Sequence, residues 1–211
     1  MAFLVIGDIH GCWVELQALL DKAGLRADDT ILAVGDIVDR GPETPQVLDF
    51  FRNAPSAQVL MGNHERKHVR ASRGEIQLSL SQRISEYQLA GWYPEEVFWM
   101  CSLPLFTEFP EAIVVHGYLE PDLPLPEQNP SVLCGTLGGA RILHERYDRP
   151  WYEMYTGNRP GIVGHQNYTN STQPFIYQDK VFGLDTSCVI GKAPDWSPAA
   201  LLPDHLGSQP R

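Results

Sequence analysis

Five short strings in this sequence carry side chains that can hold a cation or move a proton. They are Gly7-Asp8-Ile9-His10-Gly11, Gly35-Asp36-Ile37-Val38-Asp39-Arg40-Gly41, Gly62-Asn63-His64-Glu65, His116-Gly117 and Gly164-His165. Carboxylate, imidazole and amide oxygen together suit hard-to-borderline divalent metals such as Mn²⁺, Fe²⁺ or Zn²⁺. No cysteine takes part in the strings, which disfavours a closed structural zinc site. One Gly-Asp or His-Gly pair alone means little; the series carries the signal. The flanking glycines permit sharp turns and close approach of a ligand to the main chain.

Each string follows a short apolar run, so the side chains are expected at strand ends. In open α/β sheets the carboxyl ends of strands are where ligands bind, and residues far apart in sequence can meet there. The first sixty residues alternate in the β-α-β-α manner. Residues 3–6 read as a strand, and residues 13–23 as a helix with Trp13, Leu16, Leu19, Leu20 and Ala23 at helical spacing and Gly24 as its stop. Residues 30–34 and 57–61 read as strands on either side of a helix that starts near Pro42 and has Val47, Leu48, Phe50 and Phe51 as its apolar side. Residues 64–101 read as a mainly helical, cap-like region. It carries Arg66, Lys67, Arg70, Arg73 and Arg83, either a solvated face or a cap that holds an anionic substrate. Residues 112–115 read as a strand, and residues 118–135, with four prolines, as an irregular loop at the mouth of the site. Residues 175–177 and 181–184 read as a hairpin, and the stretch 193–211 as a tail, poorly ordered at its end.

At 211 residues the chain suits one domain. Its net charge of −10 argues against broad attraction to nucleic acid or anionic lipid, and no apolar run approaches the ~18 residues of a membrane span. The N-terminus lacks the basic start and cleavage site of a secretory signal. The four cysteines form no C-x-x-C pair, so a reducing cytoplasm is the expected location.

The ordered series GDIHG, GDIVDRG, GNHE, HG and GH resembles the metallophosphoesterase (calcineurin-like) superfamily, and within it the phosphoprotein-phosphatase branch, in its bacterial serine/threonine phosphatase or diadenosine tetraphosphatase form. The motifs span residues 7–165, and Gly183-Leu184-Asp185-Thr186 resembles a further bacterial element, with Ser187 where a glycine is usual. The resemblance implies a four-layer α/β/β/α sandwich. It implies that Asp8, His10 and Asp36 hold one metal and that Asp36, Asn63, His116 and His165 hold a second, with Asp36 bridging. Two cations ~3.5–4 Å apart need such a shared carboxylate, and water between them is acidified toward a pKa near 7. Mn²⁺ is the first choice for both, with Fe²⁺, Zn²⁺ or Ni²⁺ as alternatives. Arg40 is implied as the group that grips the phosphoryl oxygens, His64 as the general acid, Asp39 as the carboxylate that orients it, and Asp185 as a support behind the metal ligands. A second phosphate-binding arginine is usual between the fourth and fifth motifs. Arg149, in Arg-Pro-Trp, fits that pattern best, and the alternative reading is a surface arginine.

His68, His144 and His205 read as structural or exposed, and the cluster Trp151, Tyr152 and Tyr155 as core packing. The function expected from GDIVDRG with GNHE is hydrolysis of phosphomonoesters, such as phosphoserine or phosphothreonine in proteins, by water activated between two metals. The alternative is symmetrical bis(5′-nucleosyl)-tetraphosphatase activity, although relatives of that type more often have GNHD. A third reading, a protein-binding scaffold without catalysis, is disfavoured because all six ligand positions are kept together with Asp39, Arg40 and His64. The partner is therefore a phosphorylated protein, small molecule or dinucleoside polyphosphate.

Overall fold

The strand Phe3–Ile6 (β1) is apolar along its length because both of its faces are covered, Leu4 and Ile6 on one side and Val5 on the other. Thr30–Ala33 (β2) repeats the pattern, with Ile31 and Ala33 sharing the first face and Leu32 the second. The computed structural model describes residues 2–190 and 199–202. Between β1 and β2 runs the helix Trp13–Ala23 (α1), ended by Gly24 in the left-handed conformation. Thr44–Asn53 (α2) leads to Ala57–Val59 (β3). The strands β1, β2 and β3 are parallel, in the spatial order β3-β2-β1. This half of the chain agrees with the reading of the sequence to within two residues at each boundary.

Three helices follow: Asn63–Ser72 (α3), Leu80–Leu89 (α4) and Tyr93–Met100 (α5). The second sheet begins with Phe106–Glu108 (β4), a strand the sequence reading missed, paired antiparallel to Ile113–Val115 (β5). The segment 118–135 is less irregular than its prolines imply. It contains the one-turn helix Pro130–Leu133 (α6), where Pro130 sits at the first helical position and Asn129 caps the Ser131 amide at 2.8 Å. Leu137–Arg146 (α7) and Trp151–Met154 (α8) precede Gly161–Val163 (β6) and the hairpin Phe175–Tyr177 (β7) with Val181–Gly183 (β8). The order in this sheet is β4-β5-β6-β8-β7, with β5, β6 and β8 parallel. Ala199–Leu202 (β9) pairs antiparallel with β1 at the edge of the first sheet. That stretch was read as tail because it has no β-branched residue; the other residues of the expected tail, His205 among them, lie outside the described residues.

Three apolar clusters account for the layering. One, with Val5, Leu32, Val114 and Ile162, lies between the sheets. A second joins α1, α2 and α3 to the outer face of the first sheet, through residues such as Leu16, Leu48 and Val69. The third covers the outer face of the second sheet with Leu133, Leu143, Trp151 and Tyr155. The order is therefore helices, sheet, sheet, helices, the four-layer α/β/β/α metallophosphoesterase sandwich that the resemblance implied. Trp151 and Tyr155 are buried in it, and Tyr152 packs edge-on against Tyr168, Phe175 and Tyr177, as core packing requires. No helix among the described residues is long and apolar enough to cross a membrane.

Candidate active site

Six parallel strands, three in each sheet, end at one edge of the sandwich. Asp8 and His10 follow β1, Asp36, Asp39 and Arg40 follow β2, and Asn63 and His64 follow β3. From the second sheet come His116 after β5, His165 after β6 and Asp185 after β8. Face-to-face stacking of the sheets is what brings residues 157 positions apart into contact: the Asp8 carboxylate accepts the His165 amide at 2.8 Å.

Two groups of side chains have ligand atoms within 4.8 Å of one another, His10 with Asp36 and His64, and Asp36 with His116 and His165, so Asp36 belongs to both. The Asn63 Oδ1 lies 3.2 Å from His116 Nε2, which is itself 3.5 Å from Asp36 Oδ1. Asp8 sits at the margin, 3.9 Å from His10 Nε2 and 4.0 Å from His116 Nδ1. All six side chains expected as metal ligands thus gather in one place.

The main chain that presents them is strained. His10, Asp36, Asp39, Arg40 and His165 all have φ between 50° and 70°, a region that costs non-glycine residues of order 1–3 kcal/mol each and persists only where the surroundings over-determine it. Glu65 is one such determinant. Its buried carboxylate accepts the amides of Asp36, Ile37 and Gly62, each at 2.9 Å, tying the loop after β2 to the loop after β3. Sequence reasoning treated Glu65 only as a mark of the motif. Gly62 is needed for a second reason: a Cβ there would lie 2.2 Å from Asp36 Oδ1.

The electrostatics fit a cation site. Burial drives the Asp8 carboxyl well above its usual range, helped by the nearby Asp185 charge, and Asp185 is raised in turn, chiefly by its own burial. Burial would also raise Asp36, but the imidazoles of His116 and His64 win and hold it low. Burial opposes protonation of His116, yet the charges of Asp36 and Asp8 push it up to about 9. Burial lowers His10 to about 4 and His165 to about 3, leaving both neutral near pH 7 with a nitrogen lone pair to offer. His116 Nδ1 is buried with no hydrogen-bond partner among the described residues. A cluster whose buried Asp8 and Asp185 carboxyls resist ionisation, whose His116 Nδ1 lacks a hydrogen-bond partner among the described residues and which shares Asp36 between two donor sets suits two divalent cations.

Tautomers follow from the acceptors. His10 Nδ1 donates to the Val38 carbonyl at 2.9 Å, which turns its Nε2 lone pair inward, and the guanidinium of Arg40 donates to that nitrogen at 2.7 Å and to His64 Nε2 at 3.1 Å. For His10 to hold a cation through Nε2, the Arg40 fork has to turn away from it. His64 Nδ1 donates to Asp39 at 2.6 Å. Asp39 is fully buried and accepts three further bonds, from His68 Nε2 at 2.9 Å, Ser85 Oγ at 2.6 Å and the Gln82 amide. His68, read as structural or exposed, is structural: it is buried and holds Asp39, and α4, within the region read as cap-like, reaches the same carboxylate. The i,i+4 spacing of His64 and His68 on α3 could have pointed to a shared partner.

Asp185 follows β8, accepts the Ser187 amide at 2.7 Å and lies near enough to Asp8 for its charge to raise that carboxyl. Ser187 itself takes φ 62°, so the turn survives without glycine. Arg149 is exposed and lines a cleft with Tyr118 and Gln166, beside His165, whose ring Tyr118 meets edge-on at 5.3 Å. A cavity of about 590 Å³ opens directly on the cluster, with Arg40, His64 and His165 at one end and residues of α3 and the start of α7 as walls.

Residues 1–130 match the family described as calcineurin-like phosphoesterase. The symmetrical bis(5′-nucleosyl)-tetraphosphatase of Pectobacterium carotovorum is 32% identical over 214 residues, covering 96% of this chain and 74% of that protein. The enzyme of the same name from Vibrio vulnificus strain CMCP6 is 28% identical over 187 residues, 88% of this chain and 63% of that protein. The chain thus spans a little under two thirds of the Vibrio relative's length. A protein serine/threonine phosphatase from Saccharomyces cerevisiae superposes with a TM-score of 0.62 at 19% identity, covering 87% of this chain and 66% of that one, which is a likeness of fold.

Proposed function

The chain belongs to the calcineurin-like phosphoesterase family, and from that premise we propose that this metal-dependent phosphoesterase hydrolyses a phosphoanhydride bond in a dinucleoside polyphosphate such as a symmetrical bis(5′-nucleosyl) tetraphosphate. The observation that carries the chemistry is the convergence of two ligand sets on Asp36, drawn from the strand ends of both sheets. The choice of substrate follows the relatives named above, which bear that activity over most of this chain.

In this reading Asp8, His10 and Asp36 hold one divalent cation, and Asp36, Asn63, His116 and His165 hold another, Mn²⁺ being the first candidate. Bound there, the two ions supply Lewis acidity to the phosphoryl oxygens and acidify the attacking water. Asp185 steadies the site from behind Asp8. Arg40 leaves the two imidazoles and meets the oxygens of the attacked phosphate with its planar fork, where charge grows as water adds. His64 presents Nε2 to the leaving oxygen and gives it a proton, while Asp39 keeps the Nδ1 proton in place and balances the imidazolium. Arg149, in the cleft beside Tyr118 and Gln166, is assigned a surface role or a contact to the substrate next to the site.

A second reading, hydrolysis of phosphomonoesters in phosphoproteins, keeps a specific support: Asp39 and Glu65 are both present and both engaged, the form that resembles phosphoprotein phosphatases. Parallel kcat/KM measurements on diadenosine tetraphosphate and a phosphoserine peptide, with Mn²⁺, Fe²⁺, Zn²⁺ or Ni²⁺ added, separate the two. A preference of about tenfold for the dinucleotide, ~1.4 kcal/mol of transition-state binding, is expected. The reverse preference moves the assignment to phosphomonoesters, and no turnover of either moves it to a binding scaffold.

A further inference from the structure

The helix α3 buries Asn63, His64, Glu65, His68 and Val69 and leaves Arg66, Lys67 and Arg70 along the wall of the 590 Å³ cavity. These cations are therefore not a plain solvated face. Arg70 is committed to Glu75, Nε to Oε2 at 2.9 Å. Arg66 and Lys67 are half-buried, and among the described residues no carboxylate pairs with either; Arg66 leans toward the buried Cys134 thiol instead. In a chain of net charge −10, two half-buried cations without counter-charge, two and three residues beyond His64, make the cavity positive where most of the surface is not. The facing wall is the start of α7, a ten-residue helix whose N-terminal end adds to that field.

The size is also informative. Pockets of roughly 300–1,000 Å³ enclose ligands far larger than one phosphate. Arg40 already stands at the cluster end for the phosphate under attack, so the second group of cations must serve something further along the substrate.

We propose that Arg66 and Lys67 form a subsite for the phosphate groups of the substrate beyond the one attacked, so that the site selects polyphosphate esters over simple monoesters. This rests on the phosphohydrolase reading above. Water adds to the attacked phosphorus, the bond to the bridging oxygen breaks, His64 supplies the proton to that oxygen, and the departing nucleoside polyphosphate carries its charge along α3.

The test compares wild type with the Arg66→Ala/Lys67→Ala variant in the ratio of kcat/KM for diadenosine tetraphosphate to that for p-nitrophenyl phosphate, which has a single phosphate. The ratio is expected to fall about tenfold or more, the worth of a charge-assisted contact, and to return in Arg66→Lys/Lys67→Arg. A ratio within twofold of wild type in a variant of unchanged thermal midpoint overturns the proposal. Should the double variant not fold, Lys67→Gln is read by the same ratio. Should neither substrate turn over, the phosphohydrolase reading fails, and calorimetric titration with ADP and AMP decides the subsite alone. Tighter binding of ADP in wild type that is lost in the double variant supports it, and equal binding in both proteins refutes it.

Discussion

At the scale of single residues, the proposed site divides labour between groups that would hold cations and groups that would handle protons and phosphate. His64 lies in the first ligand group and its amide donates to Asp36 Oδ1 at 2.9 Å, but its ring nitrogens are engaged by Asp39 and Arg40, whereas Asp36 sits inside both groups. His64→Ala is therefore expected to leave bound metal nearly unchanged and to lower kcat by roughly 10²–10⁴, the usual worth of a positioned acid. Asp36→Asn is expected to lower metal occupancy itself, because the shared ligand loses its charge. Metal analysis by plasma mass spectrometry beside steady-state kinetics checks both, and equal metal loss in the two variants would contradict the division. The residues with these expected roles were legible in the sequence because each lies inside a compact motif. Glu65, His68, Gln82 and Ser85 were not, because their roles depend on which atoms lie within 3 Å of them, and a string of letters does not record that.

At the scale of elements, the cap is fastened to the chemistry. The helices α3 and α4 meet at Asp39, which binds His68 from one and Gln82 and Ser85 from the other. Burial alone would raise the Asp39 carboxyl, but the hydrogen bonds from His64, His68 and Ser85 hold it below the usual carboxylate range. A depressed carboxyl contributes stability that is present above its unfolded value of about 3.9 and is lost as pH falls through the folded value. Amide-exchange protection across residues 80–89 is therefore expected to stay constant from pH 7 to about 5 and to weaken only in stronger acid. Ser85→Ala, which removes one donor to a buried charge, is expected to cost about 1.5–3 kcal/mol in urea unfolding while the Asp39–His64 bond remains. A loss below ~0.5 kcal/mol would mean that the helix is held elsewhere. The existence of a helical region after residue 63 was legible from composition; its attachment to Asp39 was not, since that contact joins residues up to 46 positions apart.

At the scale of the whole molecule, the sandwich concentrates Asp8, Asp36, Asp39 and Asp185 at one edge, where, against burial, imidazoles and hydrogen bonds hold Asp36 and Asp39 ionised while Asp8 and Asp185 are raised. Burial and repulsion between carboxylates raise the Asp8 and Asp185 carboxyls, and, against burial, the charges of Asp36 and Asp8 raise His116 to about 9. Divalent cations are expected to raise the thermal midpoint, by an amount set by ~2.7 kcal/mol at a hundredfold excess over Kd, and chelation to reverse it. Calorimetric scans with Mn²⁺ and with EDTA measure this, and a midpoint indifferent to both would remove the metal centre from the account. By itself the sequence determined the alternation of the first half, the candidate ligand types and their position at strand ends, because apolar runs and glycine-flanked motifs are local properties of the chain. Only the tertiary structure decided that β4 and β9 extend the sheets, that Arg149 lines the cleft beside Tyr118 and Gln166, and that Arg66 and Lys67 face the cavity. Those outcomes depend on which surfaces pack together and which charges find a counter-charge, and both are settled by contacts between residues distant in the chain.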